Sequence, residues 1–302
     1  MKKKSALGII NIILAVFVVV AVVVAGVMIA TDSGPAFVQE TSGEEDSAAG
    51  GDTAQIDALV PGTYGGVDFQ SIEDVVNYYV QAYNLTKTKT VQYQTDSGVE
   101  NWYALLGDEN LEVHDILVEG KSNSLINGMV PGIVGGLFSA KPQALPPCDT
   151  RNSDSDTFKT SALTADDVLA ANVKDNGDGT ITLQIQPKEA SMSAKGQDAQ
   201  GRFFNTMGDI GSAVEGIGVK WATGTTADNC TVDYSGGYGT IKIDTASGEI
   251  VEADYLMYVS VNVTHATLAV ITDKSASLKI DYTMHFPASD EWIAENGGGT
   301  RI

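Results

Sequence analysis

From Tyr255 onward the chain alternates. Tyr255, Met257, Val259, Val261 and Val263 are interleaved with Leu256, Tyr258, Ser260, Asn262 and Thr264, and a period of two predicts a strand with one covered face. Leu278, Ile280, Tyr282, Met284 and Phe286 repeat the pattern, as do Ile181, Leu183 and Ile185 between Thr180, Thr182, Gln184 and Gln186. The C-terminal part reads as "CTVDYS", "YGTIKID", "GEIVEADYLMYVSVNVTH", "ATLAVIT" and "SASLKIDYTMHF", separated by "SGG", "DTASGE" and "TDKS". Turns this short predict antiparallel pairing of consecutive strands.

Other stretches follow the helical period. Ile72, Val75, Val76, Tyr79, Val80 and Tyr83 share one face, with Ser71 and Asp74 placed as a capping box. The strands "TVQYQ", "GVENWYALL" and "NLEVHDILVEG" come next. Thr164 and Asp167 predict a second capping box and a turn or two of helix in "TADDVLAANVKD". Phe203, Phe204, Met207, Ile210, Val214 and Ile217 recur at steps of three or four and predict a further amphipathic helix, weakened by glycines. Leu125, Ile126, Met129, Val130, Ile133, Val134, Leu137 and Phe138 do the same in a segment broken by Gly128, Pro131, Gly132, Gly135 and Gly136. That segment reads either as a broken core helix or as a hinged apolar lid.

Between the capping-box segment and "TITLQIQ" lies "KDNGDGT". Placing Asn176, Asp178 and Gly179 at the third, fifth and sixth positions of a calcium loop puts Lys174 at the first and Ile185 at the twelfth, where Asp and Glu are required. Starting at Asp175 puts glycines at ligand positions. A tight turn needs only the Asn-Gly and Asp-Gly pairs that are present.

The N-terminal end changes the setting. Residues 6–30 form an uncharged, almost wholly apolar run of 25 residues behind Lys2, Lys3 and Lys4, long enough for a membrane helix whose basic end stays in the cytoplasm. Such a run is longer than the apolar core of a cleaved signal peptide, so an uncleaved anchor is expected. The expected organisation is a cytoplasmic tip (1–5), a single-pass anchor (6–30), an acidic flexible linker (31–62), one α+β domain outside the membrane (63–290) and a loose tail (291–302). The linker carries seven acids and no base, a composition that resists folding by itself. The whole chain has a formal charge of -21, and everything after residue 30 carries 15 basic and 39 acidic side chains, hence -24. That balance argues against nucleic acid and anionic lipid headgroups as partners.

Two cysteines, Cys148 and Cys230, are either one disulfide of an oxidising exterior or two buried thiols. The chain has no GxSxG, Ser-x-x-Lys, HExxH, GxxxxGK[ST] or GxGxxG motif, and neither a metal site, a cofactor nor a catalytic set is expected. His114, His265 and His285 stand alone within strand patterns, where surface or satisfied side chains are expected.

The run "TVDYSGGYGTIKIDTASGEIVEADYLMYVSVNVTH", preceded by helices and followed by further alternating strands, resembles the half-barrel domains of LolA, LppX and related bacterial envelope proteins. It lacks the lipidated cysteine common among them. The resemblance implies a curved antiparallel sheet, half-barrel-like, covered by a few amphipathic helices, and a lipid or other hydrophobic ligand held in an apolar cavity. The ligand-binding residues expected on that basis are Leu125, Ile126, Met129, Val130, Ile133, Val134, Leu137, Phe138, Phe203, Phe204 and Met207. The alternative is a structural or protein-interaction component of the envelope with a fully packed core.

Overall fold

The computed structural model describes residues 52–122, 142–206, 220–268 and 271–302. The expected anchor at 6–30, the linker up to residue 51, the segment from Leu125 to Phe138, and Met207 lie outside these residues. Among the described residues no helix is long and apolar enough to cross a membrane.

A small hairpin of β1 (Gly62–Tyr64) and β2 (Val67–Phe69) leads into helix α1 (Ile72–Lys87). The expected capping box is present: the Asp74 backbone N–H donates to Ser71 Oγ at 3.3 Å, and the Ser71 N–H donates to Asp74 Oδ2 at 2.9 Å. Strands β3 (Thr90–Thr95) and β4 (Gly98–Tyr103) form a hairpin, and β5 (Leu106–Val118) crosses the main sheet. Short strands β6 (Lys121–Ser122) and β7 (Gln143–Ala144) pair with its two ends.

Thr164 and Asp167 also cap as expected, with the Thr164 N–H donating to Asp167 Oδ2 at 2.9 Å, but the helix is one 3-10 turn, Ala165–Asp167. The chain then extends as β8 (Val168–Asp175), because Val168, Ala170, Ala171 and Val173 are buried against the core in a strand pattern. It turns into β9 (Thr180–Pro187) through "KDNGDGT". There Asp175 Oδ1 accepts the Gly177 N–H at 2.8 Å, Asp178 Oδ1 accepts the Thr180 N–H at 3.0 Å, and Gly177 and Gly179 sit at φ 72° and 86°. The aspartates are turn residues bonded to their own backbone.

After β10 (Ala190–Ser191) comes α2 (Ala199–Phe203), followed by β11 (Lys220–Trp221), α3 (Thr226–Asn229) and β12 (Cys230–Tyr234). Strands β13 (Tyr238–Asp244), β14 (Ile250–Leu268) and β15 (Ile271–Phe286) complete an eleven-stranded antiparallel sheet among the described residues. Strand β14 is served along one edge by β13, β12 and β11 in turn and along the other by β15. The expected turn "TDKS" is in fact part of β15, and "ATLAVIT" is no separate strand: Leu268 pairs with Ile271, so the hairpin reverses earlier. The alternation survives, with Tyr255, Met257, Val259, Val261 and Val263 all at most 3% exposed. The sheet is an open α+β arrangement and does not close into a barrel.

Both chain ends of the domain are more tightly held than their composition suggests. Gln55 N–H donates to Gln186 Oε1 at 2.6 Å, Gln186 Nε2 donates to the Thr53 carbonyl at 2.9 Å, and Asn172 Nδ2 donates to the Asp57 carbonyl at 3.0 Å, laying residues 52–61 along β8 and β9. The C-terminal segment is not a loose tail. Helix α4 (Asp290–Ile293) buries Ile293, and β16 (Thr300–Arg301) pairs with β3. These elements enclose a second cluster of Tyr93, Trp102, Tyr103, Leu106, Ala144, Cys148 and Ile293, with the Tyr93 and Trp102 rings stacked at 4.9 Å.

Of the two alternatives for the cysteines, the structure has two buried free thiols. Cys148 belongs to this second cluster, whereas Cys230 lies in the main core opposite Val263 on β14, so the two are parts of different hydrophobic units.

Candidate binding groove

Alternation gives the sheet two chemistries. The inward residues pack under α1 and α2, and Phe203 is the centre of that packing: its ring lies 5.5 Å from those of Tyr79 and Tyr255 and 4.8 Å from that of Phe204. Gly239 makes this approach possible, since a Cβ there would stand 2.7 Å from Phe203 Cζ. Phe203 and Phe204 are 0% and 1% exposed. Both are filled-core residues in the described part of the molecule, and the other nine expected ligand-binding residues lie outside it.

The outward residues of β5, β15, β14 and β13 form two transverse rows. Asp108, His285, Asp254 and Thr240 are successive cross-strand partners, and one step along come Asn110, Thr283, Leu256 and Tyr238. Together with Tyr255 and Met284 they line a groove of about 490 Å³. That is room for a small ligand or for one side chain of a partner.

His285 is the centre of the first row. Its Nδ1 lies 2.7 Å from Asp254 Oδ1. The hydrogen bond to Asp254 holds the imidazole pKa above its ordinary value against partial desolvation, and the carboxylates of Asp108 and Glu252 act in the same direction. The other histidines also face aspartates: His114 Nε2 lies 2.9 Å from Asp281 Oδ1, and His265 Nδ1 lies 2.7 Å from Asp273 Oδ1. Each is a surface side chain paired across β15, as a solitary strand histidine is expected to be.

The groove therefore offers two carboxylates, an imidazole, an amide, two threonine hydroxyls and a phenol. Such a set can both accept and donate hydrogen bonds. Among the described residues no group of three or more His, Cys, Asp or Glu side chains is arranged to hold a metal ion. Sequence reasoning missed the groove because its members belong to four strands, and only their register brings them together. The visible signal was the polar half of each alternation.

Compared with protein-family models, curated proteins and solved structures, the chain matches none.

Proposed function

We propose that this is a non-enzymatic binding module of the cell envelope, held outside the membrane by residues 6–30, which meets a polar partner across the outer face of its sheet. The observation that carries the proposal is the contrast between the two faces. The inner face beside Phe203 is filled by the chain's own aromatic rings, while the outer face opens a polar groove around His285 and Tyr238. A photo-crosslinking residue in place of Tyr238, in the full chain in its own cells, is expected to capture a protein or wall polymer. A control residue at Lys121 is expected to capture nothing. Capture of extractable lipid alone at Tyr238 overturns the proposal.

A second reading, the hydrophobic-ligand module of the half-barrel type, has two observations in its favour. Helix α1 has 16 residues, about 24 Å, whereas β14 has 19 residues, about 60 Å, so the apolar stripe is longer than the helix that touches it. Bulges where Asp115 and His265 take left-handed conformations, at φ 50° and 52°, favour a bent sheet. Native mass spectrometry before and after organic extraction tests it: a removable adduct supports it, and a bare chain refutes it.

A further inference from the structure

Where α1 ends against the segment that follows β7, an ion pair is sealed from solvent. Lys87 Nζ lies 3.1 Å from Asp156 Oδ2, and both side chains are wholly buried. The nitrogen donates to the carbonyls of Leu145 at 2.7 Å and Pro147 at 3.3 Å, and to Tyr83 Oη at 3.3 Å. Tyr103 Oη donates to Asp156 Oδ2 at 3.0 Å, and its ring centre lies 4.7 Å from Nζ. Asp156 Oδ1 faces elsewhere and accepts two backbone N–H groups, from Asp149 and Phe158, each at 2.9 Å.

We propose that Lys87 and Asp156 condense into an intramolecular isopeptide bond. The two oxygens of Asp156 are differentiated as this reaction requires. Oδ1 sits on two backbone donors, an arrangement that stabilises an oxyanion, and Oδ2 stands beside the amine and a phenol. Desolvation holds the Lys87 pKa below its ordinary value. Transfer of one proton from Nζ to Oδ2 leaves a neutral amine. Its two remaining N–H bonds fit the Leu145 and Pro147 carbonyls, so its lone pair turns to the carboxyl group.

Attack of Nζ on Cγ forms the C–N bond and puts the negative charge on Oδ1. The C–Oδ2 bond then breaks, and Oδ2 leaves as water carrying the carboxyl proton and one further proton from nitrogen. The ammonium and carboxylate are thereby converted into one amide and one water, with no oxidant, reductant or co-reactant. Both groups are fixed by the fold, so no association step opposes the reaction. The amide also removes two buried charges, whose desolvation offsets most of what an ionic pair gains.

The test is peptide mapping of the full chain after denaturation and proteolysis. A branched peptide joining the Lys87 segment to the Asp156 segment, lighter than the sum of its two parts by one water, is expected, and it is expected to vanish in Lys87→Arg. Recovery of the two segments only as separate, unmodified peptides from folded wild-type protein overturns the proposal.

Discussion

His285 on β15 and Asp254 on β14 are directly opposed cross-strand partners, with Nδ1 and Oδ1 2.7 Å apart on the open face of the sheet. The contact favours the imidazolium, so the folded-state pKa lies above the ordinary histidine value of 6.5. Its stabilising contribution is fully present below that ordinary value and is lost as pH rises through the raised, folded-state value. Titration of the imidazole resonances by NMR is expected to give a midpoint above that of the unfolded chain. Asp254→Asn should bring it back down, and a wild-type midpoint below the unfolded one would reverse the assignment.

Removing one member of the sealed Lys87–Asp156 pair leaves a polar group buried among Tyr83, Tyr103 and two backbone carbonyls. Asp156→Ala, which leaves the Lys87 amine without a carboxylate to pair or condense with, is expected to destabilise the domain by at least about 3 kcal/mol. Urea unfolding followed by tryptophan fluorescence checks this, and a loss below about 1 kcal/mol, the level of an exposed pair, would contradict the burial.

Phe203 touches Tyr79, Phe204 and Tyr255 at once. Truncation to alanine empties the joint between α2, α1 and the sheet, and is expected to cost about 3–5 kcal/mol. Thermal unfolding measures the loss. If the variant melts like the wild type, the site is already loosely filled and the apolar-ligand reading gains ground.

Cys148 and Cys230 are buried in separate clusters; burial pushes the Cys148 thiol up, and the Cys230 thiol is pushed up to about 11. Neither should react with an aromatic disulfide reagent in the native protein at neutral pH. After denaturation without reductant both should react. Finding no reactive thiol would establish a disulfide instead.

Gly299 sits at φ 78°, and a Cβ there would meet the Gln94 carbonyl oxygen at 2.3 Å. Gly299→Ala is expected to detach β16 from β3 while leaving the main sheet intact. Hydrogen exchange reads this directly: faster exchange at the Ile302 amide, which donates to the Gln92 carbonyl, with β13–β15 unchanged. Unaltered protection there would show that the segment absorbs the added methyl group.

What was legible in the sequence depended on how local its physics is. The capping box of Ser71 and Asp74, the turn at Asn176–Gly179 and the alternation from Tyr255 to Val263 each involve neighbours a few residues apart, and all are present as expected. Thr164 and Asp167 predict a turn or two of helix and the cap is real, yet pairing with β9 draws the chain into the sheet after one turn. Residues 52–61 and 291–302 are rich in small and polar groups, a composition that gives no hint of their long-range partners Gln186, Asn172 and β3. The pairing of Lys87 with Asp156, like the rows across the groove, is set by tertiary contacts between distant stretches of chain. Spacing carries no trace of either.

The strap of residues 52–61 has a mechanical consequence. Tension arriving from the chain before Asp52 does not pull first on β1 or α1. It loads the bonds from Glu189 to Asp52 and between Gln55, Thr53 and Gln186, which join the strap to β9 and the residues just after it. These side-chain contacts yield before any strand of the sheet need separate, so they act as a fuse that releases the strap while the domain stays folded.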